Sequence, residues 1–107
     1  MKPMQQTTEL QPIVEQIVFN CIAETNAQNL SRIEISQGIA APILAGGRYI
    51  ESLGLVSLLV AIEQELEIEL EHTLDLAAGI TQANNEGKKP LATVRTLVAY
   101  IVAQLSQ

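Results

Sequence analysis

The chain has 107 residues, enough for one domain with a small core and too few for a second. Apolar residues make up 48% of it and only three residues are aromatic, so its core must be built from Leu, Ile, Val and Ala, which favours packed helices. Six basic and twelve acidic residues give a formal net charge of -6, which argues against nucleic acid and anionic membranes as partners and for basic protein surfaces.

Residues 1–8 read as a flexible polar tail, with one domain over 9–107. The N-terminal stretch "MKPMQQTTELQP" lacks the apolar run of a signal peptide, and the apolar runs elsewhere stop short of a membrane span. Pro12 then suits the first turn of a helix, where its missing N–H costs little. In "PIVEQIVFNCIAETNAQ" the residues Ile13, Val14, Ile17, Val18, Cys21 and Ile22 recur at three- and four-residue spacing, which predicts a one-faced helix fraying around Thr25 to Asn29. The lone Cys21 forms no internal disulfide and fits a reducing, cytoplasmic compartment.

From Leu30 to Ile50 no helical period is sustained, and Gly38, Pro42, Gly46 and Gly47 punctuate the stretch. It reads as a long loop, functional or pinned by its own Leu30, Ile33, Ile35, Ile43 and Leu44. "RIEIS" alternates as a strand would, but no partner strand is evident. A second helix, apolar nearly all round, is predicted from about Ser52 to about Leu66. Glu67, Glu69 and Glu71 then alternate with Ile68 and Leu70, a short helical patch follows near Leu74 to Ile80, and "NNEGKKP" signals a loop. The last helix opens at Thr93, a good N-cap, and its Val94, Leu97, Val98, Ile101 and Leu105 share one face. The sum is an all-α fold, a small bundle of three main helices plus a minor third helix, with a long loop between helices one and two.

The inventory for catalysis is thin. His72 has no histidine or cysteine beside it to make a metal site, and Cys21 sits in an apolar stripe where a free cysteine acts as a small buried hydrophobe. Gly46-Gly47 is too short to cradle a phosphate, and the acidic run from Glu63 to Glu71 lacks the central glycine of a calcium loop. No catalytic and no metal-binding residue is expected. What stands out is Ser52, at the border between loop and helix. Alone, it reads as a helix cap.

Its surroundings say more. "IESLGLVSLLVAIEQEL" resembles the modification site of the acyl carrier protein family, in which an Asp-Ser-Leu triplet opens the second helix and an Ala-Leu-Glu-Glu-Glu-Phe-like run closes it. Here Glu51-Ser52-Leu53 takes the triplet and Ala61-Ile62-Glu63-Gln64-Glu65-Leu66 the closing run at matching distance. Ser57, in "LGLVSLL", is the rival, but measured from it the closing run arrives five residues too early. The loop before Ser52 is similar to the family's Gly-Leu-Ile-Asp-Ser-Leu-Gly-Leu-Val, with Gly47 displaced by one position, and Thr93-Val94 matches the opening of the family's fourth helix. The resemblance covers most of the chain. Two features depart from it: Glu51 stands where the family has aspartate, and the segment "TLDLAAGITQANNEGKK" is longer than usual.

The resemblance implies a cytoplasmic, free-standing, monomeric carrier that is not itself an enzyme. A phosphopantetheinyl transferase would move 4'-phosphopantetheine from coenzyme A onto the Ser52 hydroxyl, and the arm's thiol would hold acyl or aminoacyl groups as thioesters. Acyl- or aminoacyl-loading and chain-modifying enzymes are the implied partners, in fatty-acid-like, polyketide or nonribosomal peptide biosynthesis. Ser57 at the position five beyond the modified serine, often acidic in fatty-acid carriers, leans toward a specialised pathway. Helical spacing puts Leu55, Leu58, Leu59, Ile62 and Leu66 toward the core and Leu53, Val56, Val60, Glu63 and Gln64 on the side that continues from Ser52, where the resemblance implies, together with Glu51, a strip that docks enzymes; core packing is the alternative for Val56 and Val60. Two alternatives remain: an unmodified carrier-like interaction protein with Ser52 serving only as a cap, and a small hydrolase with Ser52 as nucleophile and His72 as its one available base.

Overall fold

A computed structural model of the chain describes residues 6–29, 32–43 and 52–106. Expectations placed on residues 1–5, on Leu30, on Leu44 and on Gly46-Gly47 lie outside the described residues. The order of elements is α1 (Gln6–Ala27), a 3-10 helix (Ile35–Ala40), α2 (Ser52–Leu70), α3 (Leu76–Asn85) and α4 (Val94–Leu105). No strand forms among the described residues, and "RIEIS" contributes to the 3-10 helix instead.

The expected stripe of α1 is buried at Val14, Ile17, Val18, Cys21 and Ile22, whereas Ile13 is 39% exposed. At about 100° per residue, Ile13 lies a full step off the stripe's centre line through Val14, Val18, Cys21 and Thr25. Thr25 continues that line into the core because its hydroxyl donates to the Cys21 carbonyl at 2.8 Å. Pro12 is not in the first turn: the helix begins six residues before it. Leu10, four residues before Val14, packs against the core and extends the apolar stripe back past the proline.

The long loop is held at two places by hydrogen bonds. Asn26 clamps the backbone of Ile33, its Nδ2 donating to the carbonyl at 2.9 Å and its Oδ1 accepting from the N–H at 3.1 Å. Further on, an isolated bridge pairs Pro42 with Thr93: the Val94 N–H donates to the Ala41 carbonyl and the Ile43 N–H to the Ala92 carbonyl, both at 2.9 Å. Between these points the chain forms the 3-10 helix, absent from the expected loop, with a kink at Gly38 whose φ of 66° favours glycine. Ile33 and Ile43 are buried and Ile35 packs on the core, as the pinning argument requires.

The other helices run longer than the apolar pattern alone indicates. α2 continues from Leu66 to Leu70, because glutamates are good helix formers and Leu70 reaches the core one turn beyond Leu66. It stops at Glu71, which adopts a left-handed φ of 54°. α3 spans ten residues, so it is no minor patch and takes in Asn84 and Asn85 from the expected loop. Asp75 caps it, accepting from the Ala78 N–H at 3.2 Å. α4 starts as expected, with Thr93 and Thr96 exchanging hydrogen bonds in a capping box. Its buried face holds Val94, Leu97, Val98, Ile101 and also Val102, while Leu105 is half-buried.

α1 is the central helix. It packs against α2 on one side and α4 on the other, the 3-10 helix bridges α1 and α4, and α3 lies on α2. Burial, and secondarily the carboxylates of Glu65 and Glu24, push the Cys21 thiol up from 9.0 to about 12. Above the free-thiol range the unfolded chain loses this proton first, so the folded state binds more protons and stability falls as pH rises. We expect urea-unfolding free energies of the wild type to drop relative to those of Cys21→Ala between about pH 9 and 12, with no difference in slope below pH 8.

Candidate functional site

Ser52 is the first residue of α2. The side chains of Ser52 and Leu53, and the whole of Glu51, lie outside the described residues. The first turn of α2 contains no acidic residue, so nothing on the helix itself neutralises its free N–H groups and the positive end of its dipole. A phosphodiester at this position is electrostatically compatible with the residues present.

Beyond Ser52, α2 divides cleanly. Leu58, Ile62 and Leu66 are fully buried, Leu59 is buried, and Leu55 packs against the core. On the opposite side Val56 is 59% exposed and Val60 43% exposed, and Gln64 is exposed. Four-residue steps from Ser52 give Val56, Val60, Gln64 and then Ile68, which at 70% is the most exposed large hydrophobic described. Ile68 escaped the sequence reading because it was assigned to an alternating segment; extending the helical period by one turn finds it. Ser57 is half-buried inside the helix, one turn past its opening.

Glu63 belongs to the same side of α2 but is not a free charge. Its Oε2 accepts from the Leu76 N–H at 2.7 Å, so the carboxylate bonds an otherwise unpaired N–H at the start of α3. Glu65 is half-buried, and Glu67, Glu69 and Glu71 are exposed. The one ion pair formed among the described residues, Lys88 with Glu86 at 3.4 Å, lies elsewhere, which leaves this end of α2 strongly acidic. His72, just beyond, is half-buried, and its Nδ1 finds no hydrogen-bond partner among the described residues.

No group of three or more residues able to hold a metal ion occurs among the described residues, and no described helix is long and apolar enough to cross a membrane. No protein-family model, curated protein or solved structure matches the chain.

The two faces of α2 predict opposite mutational responses. Leu58→Ala should destabilise the domain by about 2–5 kcal/mol in denaturant unfolding, whereas Val56→Asp should leave it within about 0.5 kcal/mol of the wild type. Glu63→Ala should cost about 0.5–2 kcal/mol, as a lost cap does, with amide exchange accelerating at residues 76–79 and unchanged in α1.

Proposed function

We propose that the protein is a free-standing carrier that bears 4'-phosphopantetheine on Ser52, holds acyl or aminoacyl intermediates as thioesters on that arm and presents them to partner enzymes. The observation that carries this reading is the line of exposed apolar residues, Val56 and Val60, running down α2 from the serine that opens it, on a helix whose other face is core. Such a line has no role in the domain's own packing, and its distance from the attachment point is that of one and two helical turns. The acidic residues beside it complement the basic surface of an enzyme and steer encounters without demanding tight binding.

The chain's own part in the chemistry is modest on this reading. Ser52 supplies the hydroxyl oxygen, and the N-terminal N–H groups of α2 stabilise the phosphodiester that forms there. The arm, when attached, supplies a thiol, which accounts for a domain whose one cysteine is buried. Val56 and Val60 give an enzyme a small apolar contact that it can release after each transfer.

The test is mass spectrometry of the purified chain after incubation with coenzyme A and a broad-specificity phosphopantetheinyl transferase. We expect one phosphopantetheinyl addition, lost in Ser52→Ala and retained in Ser57→Ala. Failure of the wild type to gain mass, or a gain that survives Ser52→Ala, would overturn the assignment. An unmodified protein that binds a partner through α2, with loss of binding in Val56→Asp, would instead support the cap-only alternative.

A further inference from the structure

A second feature lies away from the Ser52 line. α3 packs on α2 but keeps its Cα atoms more than 8 Å from those of α4, and a trough of about 810 Å³ opens between the two helices. That volume falls within the ordinary range of small-molecule sites. Thr96, Ala99, Tyr100, Ala103 and Gln104, neighbours at three- and four-residue steps on α4, form one wall. Ala78, Gly79 and Gln82 of α3 face them, and the turn through Lys88, Lys89 and Pro90 closes the end where the helices join.

Ala78, Gly79, Ala99 and Ala103 keep the space between the helices open, while Gln82, Tyr100 and Gln104 carry the longer side chains of the two walls. The Tyr100 hydroxyl lies against Gly79, where any Cβ would collide with it, so the missing side chain at Gly79 admits the ring between the helices. Burial, and then Asp75, raise the Tyr100 hydroxyl above its ordinary range, and at physiological pH it is a neutral donor, as any tyrosine is. At the closed end, Lys88 is paired with Glu86, while Lys89 is exposed and forms no ion pair with a described carboxylate. In a chain of net charge -6 with six basic residues, two lysines at one end of one trough are a marked local concentration.

We propose that this trough binds a linear medium-chain monocarboxylate, with the carboxylate on Lys89 and the alkyl chain lying along Ala99 and Ala103. The reach from Thr96 to Gln104 is about 12 Å at 1.5 Å per residue, about the extended length of a medium-length alkyl chain with its head group. The cation sits at one end only, which matches a ligand with a single charged head. Elsewhere the acidic surface repels an anion, so the site is selected by charge as well as by shape. This inference does not depend on whether Ser52 is modified.

The experiment is a titration of the isotope-labelled full chain with octanoate, followed by amide chemical shifts, with octanol and octylammonium as controls. We expect saturable one-to-one binding with shifts concentrated in α3, α4 and the turn between them, and weaker binding of both controls. Lys89→Glu should weaken octanoate at least tenfold. Ala103→Leu and Ala99→Leu, at exposed positions where the fold tolerates the added bulk, should do the same by filling the trough. The proposal is overturned by the absence of saturation at millimolar octanoate, by shifts centred on α2, by equal binding of octylammonium, or by Lys89→Glu and either leucine variant binding as the wild type does.

Discussion

One constraint organises this domain: the first half of α2, from Ser52 to Ile62, is apolar nearly all round, yet a chain of this length can bury only one of its faces. α1 takes that face, and Leu58, Ile62 and Leu66 vanish into the contact. A fully buried aliphatic side chain contributes about 1.5–3 kcal/mol relative to exposure, so the orientation of α2 is settled by these leucines and isoleucine rather than by its valines. Val56, Val60 and Ile68 are what remains outside. Their exposure lowers solubility and adds nothing to the core, which is why it invites an interpretation outside the fold itself.

The long connection into α2 would be an entropic burden if it hung free, and two polar contacts prevent that. The Asn26 amide holds Ile33 as a neighbouring strand would, with one donor and one acceptor, and the Ala41–Ile43 backbone does the same with Ala92 and Val94. The second contact also ties the loop to the capping box that starts α4. The loop between α1 and α2 is therefore fastened to both α1 and α4 within its described residues.

Much of this was legible in the sequence wherever periodic burial decides the outcome. The helical faces of α1, α2 and α4, the Thr93 cap and the pinning isoleucines of the loop all follow from spacing and residue type. The failures occur where something other than periodicity acts. Pro12 looked like a helix start, but Leu10 extends the buried stripe across it. "EIEL" looked like an alternating segment because two and four residues cannot be told apart over so short a run, and only the burial of Leu70 decides for helix. At the start of α3 one N–H is bonded by Glu63, thirteen residues before Leu76, and no local pattern announces a contact supplied by another helix. The trough was invisible for a similar reason: alanines and a glycine carry no signal until two helices are seen to stand apart.

Glu63 also changes how the acidic side of α2 should be weighed. Its spacing from Ser52 places it on the outward side, beside Val60 and Gln64, where it reads as a charge offered to a basic partner. The 2.7 Å bond to the Leu76 N–H shows that the carboxylate is already employed within the domain. A partner's cation approaching Glu63 would share that carboxylate with the start of α3 or take it away, leaving the Leu76 N–H to find water or stay unpaired, at a cost comparable to a lost helix cap. Glu67, one turn along and exposed, carries no such obligation. On the proposed carrier function, where encounters must form and break quickly, the useful charge is the one whose capture disturbs nothing, so Glu67 would outrank Glu63 as a steering residue, and Glu63 is better understood as the link between the outward face of α2 and the position of α3.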